Sequence, residues 1–74
     1  MSAATRDAIR RQVLKYVADN GSASIGTMTG VFQQQENLAG IHDSDVRAVV
    51  QPMIATGKLD YAPGLKIKLG TTRP

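Results

Sequence analysis

Apolar residues recur every three or four positions near the start of the chain, which is the spacing of a helix with one buried face. Thr5 precedes this stretch as a candidate N-cap. Gly21 follows it, and glycine readily takes the left-handed conformation that closes a helix. We therefore predict a first helix between these two residues. Its apolar face consists of Ile9, Val13, Tyr16 and Val17.

A second helix is predicted from about Gly26 or Thr27 to about Asn37, after a short extended segment over residues 22–25. Gly30 lies inside this helix and has two interpretations. It lowers helix stability by about 1 kcal/mol relative to alanine, or it lets a neighbouring helix approach closely. The inward positions are Met28, Val31 and Phe32.

A third helix is predicted to begin at a cap formed by Asp43 or Ser44 and to end at Gly57. Pro52 lies within it and has no N–H to donate to the carbonyl of Ala48. We therefore expect the helix to kink or to split into two at this point. The apolar face consists of Val46, Val49, Val50, Met53 and Ile54.

After the third helix the pattern changes to alternation. Apolar and charged residues alternate over 59–61 and again over 65–69, as in half-buried strands, and residues 62–64 form a turn signal between them. The elements together predict an α+β fold, mainly helical, with three helices followed by a C-terminal β-hairpin. The expected core residues are Ile9, Val13, Val17, Ile25, Met28, Phe32, Leu38, Val46, Val50, Met53, Leu59, Leu65, Ile67 and Leu69.

The chain has 74 residues, which is the size of one small domain. We expect residues 1–74 to form that single domain, ordered over about 5–69, with residues 70–74 as a polar tail. No apolar run approaches the ~18 residues that a transmembrane helix needs. We therefore expect no membrane contact and a cytoplasmic location.

The composition argues against catalysis. Cysteine is absent and there is one histidine, which excludes disulfides, thiolate chemistry and cysteine-based zinc sites. His42, Asp43 and Ser44 are the residue types of a catalytic triad, but consecutive residues cannot place their side chains in the relay geometry. We expect no enzyme activity, no metal and no cofactor.

The formal net charge is +3, and it is unevenly distributed. Four basic residues and one acidic residue follow Gly57. A basic C-terminal third suits a polyanion partner such as nucleic acid. A charge of this size is also explained by solubility alone.

The order of elements, and the stretch over residues 45–61 in particular, resembles the winged helix-turn-helix domain. In that family a capped third helix leads through a glycine into the first strand of a hairpin, the wing; Gly57, Lys58 and Leu59 occupy that place here. The segment around Ile25 resembles the family's short first strand. The resemblance implies binding of double-stranded DNA, with the third helix in the major groove and the wing on the backbone or minor groove.

Carried onto this chain by position, the resemblance implies a set of DNA contacts. Arg47 would read guanine and Gln51 would read adenine through their major-groove edges, while the lysines of the wing would meet phosphates. We expect a small transcriptional regulator, such as a repressor, that binds as a homodimer, because pairing two small domains doubles the site that is read. The residues implied are Ser44, Arg47, Ala48, Gln51, Lys66, Lys68, Arg6 and Arg10.

Each of these basic residues has an ordinary structural alternative. Arg47 can form an ion pair with Asp43 or Asp45 instead of reading a base. Lys66 and Lys68 can protect an exposed strand edge from aggregation.

The alternative function is a non-catalytic adaptor that binds another protein through the wing and the exposed stripe around Ile54. The position of the charges separates the two functions. DNA binding is favoured if the basic residues share one face of the molecule, and the adaptor is favoured if they are scattered.

Overall fold

Three helices followed by a C-terminal hairpin are present in the computed structural model, which describes residues 2–70, and the predicted fold class is confirmed. Within these residues no helix combines the length and the apolar character needed to cross a membrane. The helices are α1 (Ala3–Asn20), α2 (Ile25–Phe32) and α3 (Asp43–Ala55), with a 3-10 turn at Glu36–Leu38. The strands are β1 (Ser22–Ala23), β2 (Leu59–Ala62) and β3 (Lys66–Leu69).

Helix α1 begins earlier than predicted. Ser2, not Thr5, is its N-cap, and the Ser2 hydroxyl accepts the backbone N–H of Thr5 at 3.1 Å. The helical structure of the domain therefore starts before residue 5. At the other end Gly21 has φ +83° and its N–H donates to the carbonyl of Val17 at 2.8 Å, so the predicted stop is confirmed.

Helix α2 is shorter than predicted. Its N-cap is Ser24, whose hydroxyl accepts the N–H of Thr27 at 3.2 Å, so Ile25 is the first helical residue and not part of a strand. The helix ends at Phe32, because the chain then turns to bury Leu38 through the 3-10 turn. Gly30 has open space where a Cβ would stand, so its predicted role in a close helix approach is wrong.

Helix α3 is capped by His42 instead of Asp43 or Ser44. The His42 N–H donates to the carboxylate of Asp45 at 3.0 Å, and the Asp45 N–H returns to the His42 carbonyl at 3.0 Å. An acid in the first turn also faces the positive end of the helix dipole. These interactions fix the start of the helix one residue before Asp43 and two before Ser44, the expected caps.

The C-terminal half of α3 runs without a break through Pro52, so the predicted split is wrong. The proline leaves only the carbonyl of Ala48 without its usual donor, and Ala48 is exposed to water. The helix closes at Gly57, which has φ +84°. The N–H of Lys58 bonds to the Met53 carbonyl at 2.9 Å and that of Gly57 to the Ile54 carbonyl at 3.1 Å, which is the Schellman pattern.

The three strands form one antiparallel sheet in the order β1-β3-β2. The short first strand therefore exists, but at Ser22–Ala23 and not around Ile25. Gly70 belongs to the fold and not to a tail, since its N–H donates to the carbonyl of Lys58 at 2.9 Å. The rest of the predicted tail, residues 71–74, lies outside the described residues.

One core joins the inner faces of the helices and the sheet. Phe32 lies at its centre, fully buried, and its ring meets Tyr16 edge to face at a centroid distance of 6.2 Å. The prediction was wrong for Leu65 and Leu69, which are exposed, and for Ile25, which is only partly buried. The buried apolar residues are Ile9, Val13, Val17, Ala23, Met28, Phe32, Leu38, Ile41, Val46, Val49, Val50, Met53, Leu59 and Ile67.

Leu65 is exposed because of the register of the hairpin. Ala62 pairs with Lys66, so the three residues between them form the loop and Leu65 is its last member. Its φ is +60°, in the left-handed region that bulky residues rarely adopt, and 94% of its surface is accessible. The strand alternation that predicted an inward Leu65 therefore begins only at Lys66, the residue after it.

Candidate nucleic-acid interface

Helix α3 presents an exposed face made of the residues for which the winged-helix resemblance implied contact with bases in the major groove. They are separated by three or four positions, so they lie side by side on the surface opposite the buried valines. The face is unobstructed within the described part of the chain. Its members are Ser44, Arg47, Ala48 and Gln51.

A first groove lies between α1 and α3, with a volume of about 320 Å³. Arg6 and Arg10, one helical turn apart on α1, form one wall, and Ala48 and Pro52 of α3 form the other. We call it the arginine groove. It brings two of the basic residues expected to contact DNA beside the exposed face of α3.

Arg10 forms an ion pair with Asp7, three residues before it on α1. Both side chains are about half exposed, and such a pair contributes about 0–1 kcal/mol. The guanidinium therefore keeps donors and solvent access for a second anion. Arg6 has no ion pair within residues 2–70.

Arg47 forms no ion pair with Asp43 or Asp45, so that alternative is wrong. Asp45 instead accepts the backbone N–H of His42. Arg47 borders a second groove, of about 370 Å³, which separates the start of α2 from the hairpin. We call it the wing groove. It is lined by Ser24, Ile25, Gly26, Arg47, Tyr61, Leu65 and Ile67.

Lys66 and Lys68 do not join the arginines. Both lie on β3 and flank the buried Ile67, so they point to the outer face of the sheet, away from the core. Lys68 is half-buried and stands opposite Asp60 of β2 and Ser22 of β1. The basic residues therefore divide into an arginine group around α3 and a lysine pair on the outer sheet face. The five do not share one face, so the position of the charges favours DNA binding for the three arginines and not for the lysines.

The strand-edge interpretation is wrong for Lys68, which lies between Ser22 of β1 and Asp60 of β2. Lys66 lies beyond the end of β1 and is paired only with Ala62 of β2. Strand β2 forms an edge of the sheet, and the charged residue on it that bears on edge pairing is Asp60. The carboxylate of Asp60 accepts the N–H of Tyr61 at 2.8 Å, which occupies one donor that an added strand would need. The charge that discourages pairing at this edge is thus acidic.

Tyr61 and Leu65 were not predicted to shape a surface site, and Leu65 was predicted to be a core residue. They are 64% and 94% exposed and line the wing groove with Ile25. The signal that could have revealed Leu65 is its position directly after Pro63–Gly64, where a three-residue loop takes it out of the strand.

Two carboxylates stand at the start of the exposed face of α3. Asp43 is exposed in the first turn of the helix, and Asp45 is held by the cap. They place negative charge next to Ser44. Among residues 2–70 no group of three or more histidine, aspartate or glutamate side chains is arranged to hold a metal ion.

Comparisons with known proteins add no relative. A scan against models of protein families, a search of curated proteins and a search of solved structures each found no match for this chain.

Proposed function

We propose that this protein binds double-stranded DNA sequence-specifically and acts as a small transcriptional regulator in the cytoplasm. One observation carries the proposal. The exposed face of α3, which carries Arg47, borders the arginine groove, where Arg6 and Arg10 lie opposite Ala48 and Pro52. A helix with a base-reading arginine on its exposed face and two arginines beside it suits the major groove of B-DNA, which admits one helix between two phosphate backbones.

Base reading is assigned to the long side chains of this face. Arg47 suits guanine, because its guanidinium can donate two parallel hydrogen bonds to O6 and N7. Gln51, one turn further along, suits adenine through N6 and N7. Ala48 lies between the two along the helix and Ser44 lies one turn before Ala48. Their small side chains allow the helix to approach the bases closely.

Contacts to the DNA backbone are assigned first to Arg6 and Arg10. Their position beside Ala48 and Pro52 means that a duplex on α3 would bring a phosphate near the arginine groove. Lys66 and Lys68 remain proposed phosphate contacts of the wing. Their place on the outer sheet face requires the hairpin to meet the backbone side-on.

Two copies are proposed to bind together, because a single domain of this size reads few bases. Recognition helices of a two-fold dimer enter successive major grooves about 34 Å apart. A dimeric regulator would therefore select a palindromic site with that spacing between half-sites.

The experiment is a titration of fluorescent random-sequence duplex, followed by anisotropy at two salt concentrations. We expect affinity to fall as salt rises, because neutralised phosphates release counterions. Arg6→Ala and Arg10→Ala should each reduce the magnitude of the salt slope by about 1. Lys15→Ala is the matched control, since Lys15 is exposed on the opposite side of α1 from Arg6.

Sequence-specific reading is tested separately on a duplex selected from a random pool. Arg47→Ala should cost about 1–3 kcal/mol on the selected duplex and less on random DNA. Lys66→Ala should weaken both duplexes alike. Equal affinity of the wild type and the arginine variants at low salt would exclude this face as the DNA site.

A further inference from the structure

The wing groove is lined mainly by apolar side chains. Its walls are Ile25 at the start of α2 and the hairpin residues Tyr61, Leu65 and Ile67. Two of these side chains, Tyr61 and Leu65, are mostly exposed, so the groove leaves apolar surface in contact with water. An occupant with an apolar side chain would remove that surface from water.

The tip of the hairpin holds Leu65 in place at an energetic cost. A leucine with φ +60° occupies a conformation that glycine takes more easily, and Gly64 beside it is already in the same region. The side chain gains no burial within the described chain in return. Strained and exposed apolar residues of this kind are typical of contact sites.

The charge of the groove identifies the chemistry of the partner. Arg47 is the one charged side chain among its lining residues, and it has no ion-pair partner in residues 2–70. The nearby Asp60 is turned to the N–H of Tyr61. A complementary partner therefore carries a carboxylate beside its apolar side chain.

A short peptide segment fits this groove better than the other occupants. A second copy of the chain would need an interface of about 800 Å² per partner for a stable dimer. The seven residues that line this groove are too few to supply that area. Duplex DNA would find one cation and four apolar side chains, although its backbone is anionic along its whole length.

We propose that the wing groove is a docking site for an acidic, apolar peptide segment of a partner protein. A large apolar side chain of that segment packs between Ile25, Tyr61 and Leu65. A neighbouring carboxylate accepts hydrogen bonds from Arg47, which are stronger than neutral ones because both groups are charged. The site goes beyond DNA binding and does not depend on it.

Docking and DNA reading share Arg47. One guanidinium cannot bind a peptide carboxylate and a guanine edge at the same time. This consequence rests on the proposed DNA binding: the peptide is expected to displace a duplex bound through α3, so a partner protein would regulate DNA binding at the groove.

The test uses a displayed library of short random peptides, selected on the immobilised full chain. We expect the enriched peptides to carry aspartate or glutamate next to leucine, isoleucine or phenylalanine. One enriched peptide is then synthesised with a fluorescent label, and its affinity is measured by anisotropy without DNA. Leu65→Ala should weaken it about tenfold, as expected when a central apolar anchor is truncated.

Two further variants make this result specific. Leu69→Ala is the matched control, because Leu69 is an exposed leucine of the same hairpin that does not line the groove; its affinity should equal that of the wild type. Arg47→Gln should weaken the acidic peptide and remove the salt dependence of its binding. Circular dichroism checks that each variant is folded.

The proposal is overturned if no peptide is enriched, if basic peptides are enriched, or if Leu65→Ala binds as well as Leu69→Ala. Amide chemical shifts separate the DNA alternative. If random duplex shifts the signals of Gly26 and Ile67 and the peptide does not, the groove belongs to the DNA interface. Because the peptide is measured alone, failure here leaves the DNA titration unaffected.

Discussion

Gly70 lies so close to Gly57 that a Cβ built on Gly70 would stand 1.9 Å from the Gly57 carbonyl oxygen. The contact joins the residue after β3 to the residue that closes α3. The hydrogen bond from Gly70 to the Lys58 carbonyl, at 2.9 Å, extends the sheet by one step beyond β3. Only a residue without a side chain fits between these two backbone segments.

Gly70→Ala should therefore destabilise the protein by about 1–3 kcal/mol, the usual cost of forcing an extra carbon into a packed site. Thermal or urea unfolding measures this change. The matched control is Gly30→Ala in α2, where a Cβ meets open space. Because alanine is the better helix former, the control should gain about 1 kcal/mol. Equal effects of the two substitutions would contradict the close contact.

Phe32→Ala should remove about 3–5 kcal/mol of stability, because it empties the centre of the core. A domain of this size has little more stability than that, so we expect the variant to be largely unfolded at room temperature. Phe32→Leu should retain the fold, with a lower melting temperature. A Phe32→Ala protein that melts like the wild type would refute the core assignment.

Leu65→Gly should stabilise the fold by about 1 kcal/mol, since glycine takes a positive φ without the steric cost that leucine has. Leu69→Gly, in the regular part of β3, should have the opposite sign, because glycine weakens strand interiors. Urea midpoints of the two variants test this difference. A Leu65→Gly protein that is more stable but no longer binds the selected peptide would show that Leu65 contributes to peptide binding at a cost in stability.

Asp43→Asn and Asp45→Asn should have different consequences. Both remove negative charge near the exposed face of α3, so both should tighten binding to random duplex. Asp45 also accepts the His42 N–H at 3.0 Å, and its replacement should cost about 0.5–1 kcal/mol of stability. Asp43→Asn should leave the melting temperature nearly unchanged. Loss of DNA affinity in Asp43→Asn would contradict an electrostatic role for this helix end.

The sequence predicted helices best where an apolar stripe of helical spacing is followed by a glycine that ends the helix. The apolar stripe of α1 and the stop at Gly21 follow directly from local preferences, as does the end of α3 at Gly57. Local preferences failed at the helix starts, because Ser2 and His42 each lie one to three residues before a plausible alternative cap, and Ser24 was not recognised as a cap. The choice between them depends on how the preceding segment packs.

The candidate site could be predicted only in part. The exposed face of α3 follows from the spacing of its apolar residues, since positions opposite the valines must face water. The position of Lys66 and Lys68 could not be obtained that way. It depends on the pairing of β3 with β1, a contact between segments far apart in the sequence.

Strand β3 lies between two partners that both precede it in the chain. During synthesis neither β1 nor β2 can complete the sheet until β3 has been made, so the helices must wait with part of their apolar surface uncovered. Pairing across such a long separation is the slow, entropically costly step of folding. A nascent chain stopped before residue 66 would therefore expose the sheet-facing side of the core, which is a state suited to recognition by chaperones or proteases.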